Sequence, residues 1–224
     1  MTLRAHFEQK LNDLRDDILH MGRLVEDELN LALAAFRDLD ATLARQVGAA
    51  DLVVNKTRFT IEEKCFSLIV TQQPAARDLR TITTAMNIIV DLERMGDQAK
   101  GIAKAIPHLI ATPIDVAIPE IHEMGDLVGR MLNQVMLAFA HRNVDLARII
   151  AGQDDAVDAL YARVFSRIMA MMAAAGSPQK AEAAYELLRV ARELERFGDL
   201  ATNIGERIVY METGTLEEIN TDAG

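Results

Sequence analysis

The sequence predicts an all-α protein in which six long antiparallel helices form two tandem three-helix bundles related by an internal repeat. Three observations point there. Of 224 residues, 50% are hydrophobic but only 4% are aromatic and none is Trp; Ala, Leu, Met and Ile abound while Thr, Val and Tyr are not enriched, a balance that favours helix packed on helix over sheet. Chain breaks are few and evenly placed, with only 12 Gly and 5 Pro. Finally, the second half of the chain aligns on the first.

The elements follow in order. The first segment ends at Asp38-Leu39-Asp40, where an Asp is placed to cap the second. The second ends at Gln72-Gln73-Pro74. The third runs to the stretch Pro107–Pro119, which holds Pro107, Pro113 and Pro119. The fourth runs from there to His141-Arg142-Asn143, the fifth to Gly176-Ser177-Pro178, and the sixth to the tail. Each segment is about 30 residues, or about 45 Å of helix, and short connections between such helices make antiparallel neighbours. The expected units are residues 1–107, a joint at 108–118, and residues 119–224 with a short C-terminal tail.

A shift of 103 places residues 20–51 on 123–154 with 12 of 32 positions identical, among them Met21/Met124, Gly22/Gly125, Phe36/Phe139 and Asp51/Asp154. Near the third segment one residue is lost and the shift becomes 102. Leu92-Glu93-Arg94-Met95-Gly96-Asp97 then lies on Leu194-Glu195-Arg196-Phe197-Gly198-Asp199.

Each third helix carries an apolar stripe at spacing 4, 3, 4, 3, 4: Ile88, Leu92, Met95, Ala99, Ile102, Ile106, and again Val190, Leu194, Phe197, Ala201, Ile204, Ile208. Glu93 and Asp97 lie four apart on a face that flanks this stripe, as do Glu195 and Asp199. The second helix shows a stripe of Val47, Ala50, Val54, Ile61 and Leu68, with Asp51 and Asn55 one step to the side; the second copy places Asp154 and Asp158 there, with Val157 on the core side. Two neighbouring helices with such flanks gather three or four carboxylates, a hard oxygen set suited to Fe, Mn, Mg or Ca. A solvated salt-bridge face is the plainer reading of each Glu-Arg pair.

Composition and motifs exclude other classes. Twenty-four Lys and Arg against 34 Asp and Glu leave a formal charge of −10, which disfavours binding nucleic acid or an anionic membrane. One Cys excludes an internal disulfide or a Cys-rich zinc site, and Cys65 is expected in the core beside Ile61 and Leu68. The start Met1–Glu8 has no apolar signal region and no run is long enough to span a bilayer, so a cytoplasmic protein is expected. The five histidines do not coincide across the repeat and no Glu-x-x-His occurs, which removes the di-iron ferritin pattern. Nucleotide-binding loops and a serine-hydrolase elbow are absent from the sequence, so nucleotide binding and serine hydrolysis lack support.

Gln72-Gln73-Pro74-Ala75-Ala76-Arg77-Asp78-Leu79-Arg80 followed by Asp91-Leu92-Glu93-Arg94-Met95-Gly96-Asp97, and Glu193-Leu194-Glu195-Arg196-Phe197-Gly198-Asp199-Leu200-Ala201-Thr202-Asn203-Ile204 in the second half, resemble the PhoU family of phosphate-transport regulators. The resemblance runs from Phe7 to Gly214. It implies tandem three-helix bundles, a homodimer, and no catalytic residue. It also implies negative control of the phosphate-starvation response and modulation of the high-affinity phosphate importer, by bridging the importer ATPase PstB and a PhoR-type sensor kinase. Some members hold multinuclear iron or zinc through acidic i, i+4 motifs. Carried over, the ligand positions are Glu93, Asp97, Asp51 and Asn55 in the first copy and Glu195, Asp199, Asp154 and Asp158 in the second. Asn55 stands where the second copy has Asp158, so the first cluster carries less charge. Glu62, whose counterpart is Phe165, is placed to compensate. Gly176-Ser177-Pro178 replaces the Gln-Gln-Pro turn and marks where a partner would tell one half from the other. Two other readings remain open at this point: a carboxylate-rich helical metal store, and an accessory protein of another anion transporter.

Overall fold

The computed structural model describes residues 3–112 and 114–215. Pro113, the first two residues and the expected C-terminal tail beyond 215 lie outside them. The described residues form seven helices and no strand: α1 Leu3–Asp38, α2 Ala41–Gln72, α3 Ala76–Ala111, α4 Pro119–His141, α5 Val144–Ala151, α6 Asp154–Ala173 and α7 Pro178–Thr213. Helices α1, α2 and α3 pack on one another as the first bundle; α4, α5, α6 and α7 make the second.

The turns show why the chain breaks where it does. Leu39 closes α1 with a left-handed φ of 48°. Its amide donates to the Phe36 carbonyl at 3.4 Å and that of Asp40 to the Ala35 carbonyl at 2.9 Å, the paired bonds that satisfy the end of a helix. Asp40 then caps α2, its Oδ1 accepting from the amides of Thr42 at 2.6 Å and Leu43 at 3.1 Å. The second half repeats the device. Arg142 has φ 52°, the Asn143 amide donates to Ala138 O at 2.9 Å, and Asn143 Oδ1 accepts from Leu146 N at 3.0 Å. Gln73 ends α2 in the same left-handed region, with Pro74 next. Pro119 and Ser177-Pro178 open α4 and α7.

Two expectations are corrected. Pro107 does not end the third helix, which continues to Ala111. Ile106 and Leu109 on either side of it are buried, and that packing offsets a helix-interior proline, which costs about 3 kcal/mol. The fifth expected helix is two, α5 and α6, interrupted at Gly152-Gln153. The first copy has Ala49-Ala50 at these positions and stays helical; Gly152 weakens the helix, and the Gln153 side chain donates instead to Gln134 Oε1 on α4 at 3.1 Å.

The two bundles share a core. Buried side chains form one continuous cluster from Phe7 to Met211, and α3 against α7 is the most extensive helix pair of all. Across that seam Arg207 Nε donates to the buried Asp91 Oδ2 at 2.6 Å. Helices α1 and α4 meet reciprocally. A Cβ on Gly22 would fall 2.7 Å from the Met136 side chain, and one on Gly125 would fall 2.7 Å from Leu33. Gly22 and Gly125 correspond in the repeat, as do Leu33 and Met136. The duplicated sequence is therefore folded about an internal pseudo-twofold relation.

Candidate functional site

The two acidic groups stand beside α3 and α7, and each takes its shape from a glycine in the Glu-Arg-x-Gly-Asp block. A Cβ on Gly96 would lie 2.9 Å from Glu28 Oε2 and 3.5 Å from Val54; a Cβ on Gly198 would lie 3.4 Å from Val157 and 3.6 Å from Asp154 Oδ1. Glycine in mid-helix costs about 1 kcal/mol relative to alanine. Here its missing side chain leaves room for a carboxylate from the neighbouring helix.

In the first half Glu93 is half-buried and Asp97 exposed, as a flank of the core stripe requires. Asp51 departs from expectation: it is 1% exposed and lies inside the bundle. Its Oδ2 accepts from Lys100 Nζ of α3 at 2.6 Å and from Asn55 Nδ2 at 3.2 Å. Burial raises the Glu93 carboxyl above its ordinary range, and the charges of Asp97 and Asp51 add to this while Arg58 and Arg94 oppose it. Glu93 is thus within electrostatic reach of both Asp51 and Asp97. Asn55 spends its amide on Asp51. Glu62 does not compensate for it, because it pairs with Arg58 at 3.4 Å.

Two residues at this site have no place in the expected set. Glu28 of α1 is fully buried, and neither carboxylate oxygen has a hydrogen-bond partner. Burial, then the charge of Asp51, push its carboxyl up to about 8, Asp97 adding to this and Lys100 opposing it. The signal was present: Met21, Val25, Glu28, Ala32 and Ala35 continue one core stripe, with an acid among apolar residues. Lys100 is the other. Its ammonium is held protonated by the hydrogen bond and charge of Asp51, then by Asp97 and Glu28. The repeat gives Met131 in place of Glu28 and Thr202 in place of Lys100.

In the second half Asp154 is buried, Glu195 and Asp199 are half-buried, and Asp158 is exposed. Burial, then the charges of Glu195 and Asp158, push Asp199 up to about 6, with Arg196 opposing. Glu195 is raised by burial, then by Asp158, with a lesser contribution from Asp154; Arg192 and Arg196 counter it. Glu195 therefore lies within electrostatic reach of Asp154, Asp158 and Asp199, and no lysine stands where Lys100 stands in the first half. Beside Asp199 an open polar cleft between α3 and α7 is lined by Arg94, Gln98, Arg196, Leu200 and Asn203. Among the described residues no three His, Cys, Asp or Glu side chains converge into a ready-made ion shell in either half.

The donor chemistry of the halves differs accordingly. The first group already contains a cation, Lys100, on the buried Asp51, so a multivalent metal there would have to displace the lysine. The second half offers four carboxylates, of which Glu195 and Asp199 are held above their ordinary range by burial and by acidic neighbours, a strain that a hard or borderline cation relieves.

Comparison with known proteins accords with this duplicated architecture. A family model described as the PhoU domain matches the chain twice, over residues 18–106 and 121–208. The chain is similar to a phosphate-specific transport system accessory protein PhoU homolog of Clostridium acetobutylicum, 35% identical over 218 residues, 97% of this chain and 99% of that one. A protein of the same name from Pseudomonas aeruginosa is 34% identical over 214 residues, 95% of this chain and 88% of its own. Among solved structures, the phosphate transport system regulatory protein PhoU from Streptococcus pneumoniae superimposes with a TM-score of 0.87 at 33% identity, covering 94% of this chain and 99% of that one. PhoU from Pseudomonas aeruginosa gives 0.86 at 34% identity, covering 93% and 100%.

Proposed function

This chain belongs to the PhoU family, and from that membership we propose that it is a phosphate-transport accessory protein, acting as a non-enzymatic negative regulator of the phosphate-starvation response. The observation that carries this reading is the end-to-end match: one-third identity spans nearly all of this chain and nearly all of relatives named for phosphate-specific transport. In this reading the protein modulates the high-affinity phosphate importer by holding its ATPase subunit, PstB, and a PhoR-type sensor kinase. It works in the cytoplasm as a homodimer. A cytoplasmic site is compatible with the absence, among the described residues, of any helix long and apolar enough to cross a membrane. A shared core and a pseudo-twofold body provide two related but unequal faces, as an adaptor between two clients requires.

The test is genetic. Deleting the gene in its host should leave a phosphate-starvation promoter active during growth in abundant phosphate, and the wild-type gene should silence it. A promoter that remains silent after deletion, with normal phosphate uptake, would refute the regulatory role.

Metal belongs to this proposal only in the second half. Glu195, Asp199, Asp154 and Asp158 would hold iron or zinc; the ion would supply positive charge that ties α6 to α7. The positions that the family resemblance implies for the first half, Glu93, Asp97, Asp51 and Asn55, would remain metal-free while Lys100 occupies Asp51. Elemental analysis of protein purified without chelator should find metal, and Glu195→Ala with Asp199→Ala should remove most of it. Glu93→Ala with Asp97→Ala should leave the content unchanged. Equal metal in all three proteins would end the assignment.

A further inference from the structure

One face of α2 is apolar, exposed and unused by the bundle. Leu52, Phe59 and Phe66 recur every seven residues and Val70 follows four later; they are 67%, 57%, 54% and 76% exposed. At 100° per residue they fall in one narrow sector of the helix. The stripe extends over roughly 27 Å. The core-facing residues of the same helix, Val47, Val54, Ile61, Cys65 and Leu68, are buried on the other side. The bundle does not need this stripe. The corresponding residues of α6 are Asp155, Ala162, Met169 and Ala173, so the repeat folds with only one large apolar side chain in the same places.

Two charges punctuate the stripe. Lys56 lies between Leu52 and Phe59, and Glu63 between Phe59 and Phe66; both are exposed. Among the described residues neither side chain forms an ion pair. They are placed almost symmetrically about Phe59. If two such helices ran parallel in register, Lys56 would face Lys56 and Glu63 would face Glu63. If they run antiparallel about a twofold axis beside Phe59 and Thr60, each Lys56 faces the Glu63 of the other copy, and the Leu52 end of one stripe covers the Val70 end of the other. The order of charges thus makes the face complementary to itself in one direction only.

We infer that this α2 face joins two copies of the chain as an antiparallel, isologous homodimer. The inference rests on the homodimer reading above and names its surface. A single helix pair of this length buries less than the roughly 800 Å² per partner of a standard stable interface, so the dimer is reversible and concentration-dependent. The same equilibrium exposes the stripe again in the monomer.

The test is sedimentation over a concentration series, using the full chain and the variants Phe59→Glu, Lys56→Glu, Glu63→Lys and the double reversal Lys56→Glu with Glu63→Lys. All positions are exposed, so circular dichroism and Tm should match wild type. Wild type should show a reversible dimer and Phe59→Glu should be monomeric throughout. Each single reversal should weaken the dimer by about tenfold or more, by setting like charges face to face. The double reversal should return it to within about threefold of wild type. A wild-type dimer indifferent to every variant would place the interface elsewhere and leave the homodimer standing. Single reversals that weaken without rescue by the double would overturn the antiparallel pairing. A wild type monomeric across the series would remove both this surface and the homodimer.

Discussion

Glu28 stands on the inner stripe of α1 with both carboxylate oxygens buried and unpartnered. The groups that act on it are Asp51 from α2 and Lys100 and Asp97 from α3, and burial outweighs them all in pushing its carboxyl up to about 8. Its folded pKa lies above its unfolded value, so the unfolded chain binds fewer protons between about 4.5 and 8. Its contribution to stability is complete below that window and is lost as pH rises through it. The Tm of wild type should therefore fall between pH 5 and pH 8.5. Glu28→Gln should flatten that dependence and raise Tm at pH 8.5 by at least about 3 °C, read by differential scanning calorimetry. An unchanged profile would place the charge of Glu28 in contact with a compensating group. Asp51 and Lys100 illustrate what residue-level reading misses. The sequence shows Asp97-x-x-Lys100 on one helix and Asp51 on another; only their meeting at 2.6 Å shows that a lysine already neutralises the aspartate. Cys65 was fully legible: it is buried as expected, and burial, with the charges of Glu62 and Asp17 adding, pushes its thiol up to about 12. A thiol so raised is not a nucleophile at neutral pH.

At the scale of the element, stripes and caps were legible because each depends on neighbours within one or two turns. The spacing of Ile88, Leu92, Met95, Ala99, Ile102 and Ile106 set the inward face of α3, and all six are buried. Helix continuity was less legible, since it is a balance between local propensity and packing. The balance tips one way at Pro107, where burial carries α3 onward, and the other at Gly152, where the glycine and the Gln153–Gln134 bond end α5. The same balance separates two other glycines. A Cβ at Gly48 in α2 would meet nothing within 4 Å, whereas one at Gly96 in α3 would meet Glu28 Oε2 at 2.9 Å. Gly48→Ala should stabilise the protein by about 0.5–1 kcal/mol through helix propensity alone. Gly96→Ala should forfeit that gain and destabilise by about 1 kcal/mol, because the buried carboxylate must shift. Urea denaturation of both variants separates the cases, and equal gains would mean that Glu28 moves freely.

For the whole molecule, the decisive feature is that two homologous bundles bury one another. The seam of α3 and α7, the Asp91–Arg207 pair and the reciprocal Gly22–Met136 and Gly125–Leu33 contacts leave neither half with a finished surface. Urea unfolding of the full chain should be a single transition by circular dichroism. Residues 1–112 made alone should lack a cooperative transition and bind a hydrophobic dye, having lost the partner of α3. Two separated transitions in the full chain would contradict a shared core. The asymmetry between the acidic groups also belongs to this scale. Duplication copies positions, but Glu28, Lys100 and Asn55 against Met131, Thr202 and Asp158 give the first group a resident lysine that the second lacks.

By itself the sequence determined the class of fold, the repeat and its shift, the inward stripes of α3 and α7 and the flanking places of Glu93, Asp97, Glu195 and Asp199, because helical periodicity and capping are short-range and survive in one dimension. It also carried the family resemblance. Tertiary structure alone decided that Asp51 and Asp154 are buried rather than flanking, that Glu28 joins the first group, that Lys100 is its resident cation, and that the two bundles share one core. Each of these depends on side chains from different helices meeting in space, and on the desolvation that follows when they do.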